Sequence, residues 1–172
     1  MKIRIGIDVG AKTGAWGLIC DGEYIDCGWI PTFKIGKQTF LHAREFMNDL
    51  DTSLMQNLAT EKPNLVIIES QQAMPLQGVV SMFTLGSVYG ALVACFQIKG
   101  WSIELCRPPI WKKEAGLLGS EKDASRGKAM MLFPECQLPL KKDHNKADAL
   151  LIAYYGGKKE VREKEQKTNS IN

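Results

Sequence analysis

The chain has 172 residues, 45% of them apolar and 24% charged, with 22 basic and 19 acidic side chains for a net charge of +3. That is one ordinary globular domain with one real core, too short for two full domains facing a cleft. Five scattered cysteines, no Cys-x-x-Cys and only two histidines exclude a disulfide framework and a structural zinc site. Without a run of ~18 apolar residues or a signal-peptide h-region, the chain is expected to have no spanning segment and to be cytoplasmic.

The first thirty residues read as strands. Ile3, Ile5 and Ile7 alternate with Lys2, Arg4, Gly6 and Asp8, which is strand periodicity. A turn over Gly10 to Thr13 leads to a second strand, Ala15 to Cys20. Asp21-Gly22 is a hairpin signal before a third, Tyr24 to Ile30. From Thr39, a candidate N-cap, to Leu58 the apolar spacing turns helical. Leu65 to Glu69 is a short apolar run suited to a strand buried on both faces. Ser81 to Ile98 reads as a very apolar helix with a Gly86-x-x-x-Gly90 pair, and Trp101 to Cys106 as a fifth strand. Pro108-Pro109 breaks regular structure. A helix from Ser120 to about Phe133 and a last one over about Asn145 to Tyr155 follow. Residues 1–157 form the expected domain, and the polar residues 158–172 an expected flexible tail. The order β-β-β-α-β-α-β-α-α is α/β, a mixed five-stranded sheet with helices on both faces, and it resembles the RNase H-like fold.

In that layout Asp8 and Glu69 end parallel neighbouring strands, roughly 5 Å apart, at the edge where α/β proteins place their sites. Asp148, in the final helix, is the third acid. Taken singly, each has an ordinary explanation: turn chemistry for Asp8, a loop cap for Glu69, the helix dipole for Asp148. Taken together, three carboxylates at one edge repel each other, and a divalent cation removes the conflict. All-oxygen ligands favour Mg²⁺ or Mn²⁺, and two ions ~4 Å apart suit in-line phosphodiester cleavage.

Gly6-Ile7-Asp8-Val9-Gly10, Ile67-Ile68-Glu69 and Ala147-Asp148-Ala149-Leu150-Leu151-Ile152-Ala153, in this order, resemble the acidic motifs of RuvC-type Holliday-junction resolvases. Pro109-Ile110-Trp111-Lys112-Lys113 and Lys122-Asp123-Ala124-Ser125-Arg126 resemble the phage-type branch. The resemblance implies a homodimeric, divalent-metal-dependent endonuclease that resolves four-way DNA junctions by paired hydrolytic nicks, with Asp8, Glu69 and Asp148 as catalytic metal ligands. Many cellular relatives carry an Asp, sometimes a His, three residues before the last acid. Here that residue is Asn145, a poor ligand, and the fourth position falls to His144, then Asp143, then Asn145.

Basic residues are uneven along the chain. Residues 1–106 carry 8 against 10 acids, residues 107–148 carry 9 against 6, and residues 149–172 carry 5 against 3. A basic second half suggests a polyanionic partner. Lys112, Lys113, Lys122, Arg126, Lys128, Lys141, Lys142 and Lys146 are the candidate phosphate contacts. After Glu69, Gln71 and Gln72 are candidate polar contacts to DNA, with Met74 or Leu76 a candidate apolar wedge for an opened base step. The competing expectations are a branched-DNA binding module without catalysis, a nuclease of the same fold acting on RNA or other branched DNA, and an actin-like nucleotide-dependent enzyme, which the short chain disfavours.

Overall fold

The strand-like alternation at the N-terminus does build the centre of a sheet. The computed structural model describes residues 1–60, 62–72 and 78–157; Met74, Leu76 and the 158–172 tail lie outside them. In chain order the elements are β1 (Ile3–Asp8), β2 (Ala15–Cys20), β3 (Glu23–Trp29), β4 (Thr32–Ile35), β5 (Gln38–Leu41), α1 (Ala43–Leu58), β6 (Leu65–Glu69), α2 (Val79–Ile98), β7 (Ile103–Cys106), α3 (Pro108–Glu114), α4 (Ala124–Leu132) and α5 (His144–Tyr155). The main sheet runs β3-β2-β1-β6-β7. β1, β2 and β3 are antiparallel, while β6 pairs parallel to β1 and β7 parallel to β6. This is the expected α/β architecture, a mixed five-stranded sheet.

Helices cover both faces. On one, α1 buries Phe46, Leu50 and Leu54, and α2 buries Val88, Leu92 and Phe96, each set at i, i+4, i+8. They meet Ile5, Ile7, Trp16 and Leu18 of the sheet in one core. The Phe96 ring stacks on Trp101 and meets Phe46 edge-on, both at 5.8 Å between centroids. Each such side chain stabilises the fold by about 1.5–3 kcal/mol of apolar burial. On the other face α3, α4 and α5 form a second core around Trp111, Ala129, Phe133 and Leu150 to Ala153.

Three local expectations are overturned. Thr39 does not cap a helix: it lies in β5, which forms a hairpin with β4 around Gly36, whose φ of +59° suits a glycine turn. Phe40 and Leu41 continue the helical spacing by chance, and α1 starts behind a His42 cap. Pro108-Pro109 does not break structure but opens α3, since proline in the first turn gives up an N–H that has no intrahelical partner anyway. Ser120 does not cap α4. Its N–H bonds back to Leu117 and that of Ala124 to Glu121, so residues 117–124 are successive turns and Asp123 is the cap.

The expectation of no membrane-length segment also needs correction. α2 is long and apolar enough to cross a bilayer by length and composition. Its two glycines and scattered Ser and Thr hid this from a search for unbroken apolar runs. One stripe of α2 belongs to the core under the sheet, but Val79, Val80, Phe83 and Ile98 stand exposed.

Candidate active site

The register of two strands brings the first two acids together. Ile7 pairs with Ile68 across parallel β1 and β6, so Asp8 and Glu69 are the next residues at the same edge. α5 supplies the third, and two glycines permit its approach. A Cβ on Gly6 would stand 2.0 Å from the Ala149 carbonyl oxygen, and one on Gly17, its partner across β2, 2.7 Å from the Leu150 nitrogen. Neither gap tolerates a methyl group, so α5 rests directly on the backbone of β1 and β2. Asn145 Nδ2 donates to the Thr13 carbonyl at 2.7 Å, tying the start of α5 to the turn between those strands.

Asp8, Glu69 and Asp148 share one electrostatic field. Burial first, then the Glu69 and Asp148 carboxylates, push the Asp8 carboxyl well above the usual carboxylate range, against the pull of Lys112 and Lys122. Burial raises the Asp148 carboxyl to about 6; Ser125 and Lys112 oppose this, Glu69 adds to it, and His144 opposes it. Asp148 Oδ1 is buried and has no hydrogen-bond partner. A buried carboxylate oxygen left unpaired is costly unless a ligand completes it. Among the described residues no three His, Cys, Asp or Glu side chains are gathered closely enough to hold a metal ion as they stand. Three mutually repelling carboxylates have no reason to close up on each other. Their all-oxygen chemistry and the orphaned Asp148 oxygen fit a hard divalent cation.

Glu69 is held from two sides. Trp111 Nε1 donates to Oε1 at 2.9 Å and Gln71 Nε2 donates to Oε2 at 3.3 Å. Gln71, expected to touch DNA, thus orients an acid here. Gln72 is exposed beside it. A cleft of about 100 Å³ opens next to Asp148, lined by Trp111, Lys112, Lys122 and Ser125 among others. Lys112 and Lys122 are brought to the acids, whereas Lys113 points to solvent from the end of α3. Arg126 is engaged within the chain: Nε and Nη2 donate to Asp123 at 3.0 and 2.9 Å, and Nη1 reaches the carbonyls of Leu138 and Pro139 at 3.2 Å. Lys128 is partly buried on α4.

The three candidates for the fourth position part ways. Asp143 is buried, accepts the Leu140 N–H at 2.9 Å and lies 4.0 Å from Lys146 Nζ. Asn145 is spent on Thr13. His144 Nδ1 lies 2.9 Å from the Lys141 carbonyl, which only accepts, so Nδ1 carries the proton and donates. Its Nε2 is buried without a partner, one turn of α5 before Asp148.

Two groups escaped the sequence reading. Trp111 read as part of a motif, with no sign that it would reach Glu69. Trp29, at the end of β3, has Lys146 Nζ 4.9 Å and Lys142 Nζ 6.0 Å from its ring centroid. Lysines distributed between a turn and a helix carry no spacing that reveals such a meeting.

No protein-family model matches the chain, and no curated protein matches it by sequence. Solved structures do. The chain is similar to Thermus thermophilus RuvC in complex with a Holliday junction substrate, at 16% identity and a TM-score of 0.64, over 95% of this chain and 97% of that one. A second structure of Thermus thermophilus RuvC aligns at 17% identity and a TM-score of 0.52, over 89% and 94%. The chain has the RNase H-like fold of RuvC.

Proposed function

We propose that this chain is a divalent-metal-dependent endonuclease that resolves four-way DNA junctions by paired hydrolytic nicks, of the phage-type branch suggested by Pro109 to Lys113 and Lys122 to Arg126. The observation that carries this reading is the buried, unpartnered Asp148 Oδ1 in the shared field of Asp8 and Glu69, beside Lys112 and Lys122. The similarity to RuvC bound to a Holliday junction supports the substrate class.

In this reading Asp8, Glu69 and Asp148 hold two Mg²⁺ ions, with Mn²⁺ able to replace them, and the His144 Nε2 lone pair completes the set. The ions supply Lewis-acid polarisation of the phosphate and a water of lowered pKa. Trp111 and Gln71 fix the Glu69 oxygens so that they do not swing toward Asp8. The Lys141 carbonyl holds His144 in the tautomer that presents Nε2. Lys112 and Lys122 receive the negative charge of the strand being cut, and their position in the cleft confines a phosphate next to Asp148.

Paired nicks need two sites. The exposed apolar residues of α2, with Gly86 and Gly90 open to any neighbour, suit a twofold contact with a second copy. The enzyme would act in the cytoplasm, that of the host if phage-encoded.

The test is incubation of labelled four-way, flap and linear DNAs with the protein and each divalent metal in turn. Symmetric nicks restricted to the four-way substrate, giving 5′-phosphate ends, are expected. Binding without cleavage under Mn²⁺ selects the second reading, a branched-DNA binding module, which draws on the spacing of the acids in the structure.

A further inference from the structure

Across the sheet from the acids lies a second feature with its own chemistry. Asp8 pairs with Ala15, and Ala15 with Trp29, so the three form one row across β1, β2 and β3. Cross-strand partners share a face, here the face under α5. Two strand spacings put Trp29 ~10 Å from Asp8, about three stacked nucleotides along a strand. An open recess of about 240 Å³ lies here, lined by Lys12, Thr13, Trp29 and Lys142.

Trp29 differs from the other tryptophans. Trp16, Trp101 and Trp111 are at most 5% exposed and belong to the two cores. Trp29 belongs to neither core and is half-buried. Two cations stand over its ring, Lys146 and Lys142. Lys146 is partly balanced by Asp143 at 4.0 Å, but no carboxylate among the described residues pairs with Lys12 or Lys142. The floor is preformed, because Asn145 locks the Thr13 carbonyl to α5. An aromatic plane framed by unneutralised lysines is the arrangement by which proteins hold single strands: the base stacks on the ring and the cations follow its phosphates. A paired base inside a duplex has no free face to offer. The recess is also smaller than the ~300–1,000 Å³ of a drug-sized site, which suits one base.

We propose that Trp29 is a stacking platform for an unpaired nucleobase of the strand that enters the metal centre, with Lys12, Lys142 and Lys146 on the flanking phosphates. The inference rests on the nuclease reading for its orientation, since the row from Trp29 to Asp8 then sets where the open base stands relative to the cut. It gives this fold a means to prefer a branch point, where bases unstack, over continuous duplex.

The test is binding of a fluorescein-labelled ten-residue oligothymidylate, with a hairpin duplex of equal charge as control, to the full chain in EDTA. Quenching of tryptophan emission is read alongside, because Trp29 is the exposed indole among four. Saturable quenching by the single strand is expected. So is an affinity about 5- to 150-fold weaker in Trp29→Leu and within about threefold of wild type in Trp29→Phe, both at unchanged melting temperature. Lys12→Gln with Lys142→Gln should flatten the dependence of log K on log salt by about 0.7 per charge removed, while Trp29→Leu leaves that slope alone. Three results would overturn the inference: no quenching, Trp29→Leu binding like wild type, or Trp29→Phe losing as much as Trp29→Leu. The same preparations are then given four-way DNA with Mg²⁺. Cleavage combined with indifference to Trp29 removes this inference alone, and Trp29-dependent binding without cleavage removes the nuclease reading alone.

Discussion

Trp111 Nε1 donates to Glu69 Oε1 at 2.9 Å, from a side chain with no exposed surface. α3 therefore reaches across to aim an acid at the end of β6. Replacing the indole by a ring without the N–H should free Glu69 while keeping most of the apolar contact. Trp111→Phe is expected to lower the rate of junction cleavage about 10- to 100-fold and raise the Mg²⁺ concentration needed for half-maximal rate. The cost in stability should be about 1–3 kcal/mol from the smaller ring. A wild-type rate and metal requirement in a folded Trp111→Phe protein would remove Trp111 from the site.

Asp148 yields a prediction about stability. Its folded pKa of about 6 exceeds the ~3.9 of an unfolded chain, so the native state binds the proton more tightly between those values. The favourable contribution is full below about pH 4 and lost as pH rises through 6; at pH 8 the buried anion costs up to about 3 kcal/mol. In EDTA at pH 8, Asp148→Asn should melt several degrees above wild type, at ~2–4 °C per kcal/mol, and at pH 4 the two should coincide. Melting curves at both pH values check this; equal melting temperatures at pH 8 would contradict the burial argument. The same variant should bind four-way DNA but not cut it.

His144 presents one nitrogen inward and anchors the other. His144→Ala is expected to slow cleavage about tenfold or more and to raise the half-saturating metal concentration, whereas Asp143→Asn and Asn145→Ala should act mainly on melting temperature. Metal-dependent rates for the three variants separate a ligand from two structural polar groups. A His144→Ala protein with unchanged metal dependence would leave the acids as the whole set.

The exposed part of α2 predicts an assembly. Phe83 is 62% exposed on a helix whose opposite stripe is fully buried. Phe83→Glu should convert a dimer to monomers in sedimentation and change paired nicks into single ones, with little change in melting of the monomer. Wild-type protein that sediments as a monomer at all concentrations would place this face against something else.

β1 was legible because its isoleucines repeat every second residue, and β6 because Leu65 to Ile68 is a short unbroken apolar run that stops at an acid; either pattern places the strand's last carboxylate at the sheet edge. Asp8 and Glu69 were readable for that reason. The hairpin at residues 32–41 was not, since Phe40 and Leu41 continue a helical spacing into α1. Nor was the start of α3, where one residue type both ends helices and opens them. The lysines divide in the same way. Lys112 and Lys122 converge on the acids and Arg126 bonds within the chain, although all three look alike in a charge count. Whether a cation faces a phosphate or a carbonyl is decided by tertiary packing, and the row that joins Asp8 to Trp29 exists only once β1, β2 and β3 are paired.

Manganese uptake measured by titration calorimetry in the absence of DNA addresses the core of this account. Wild-type protein should give a saturable heat that Asp8→Asn and Asp148→Asn abolish or weaken at least tenfold. A wild-type protein that takes up no manganese, or carboxamide variants that take it up equally well, would contradict it.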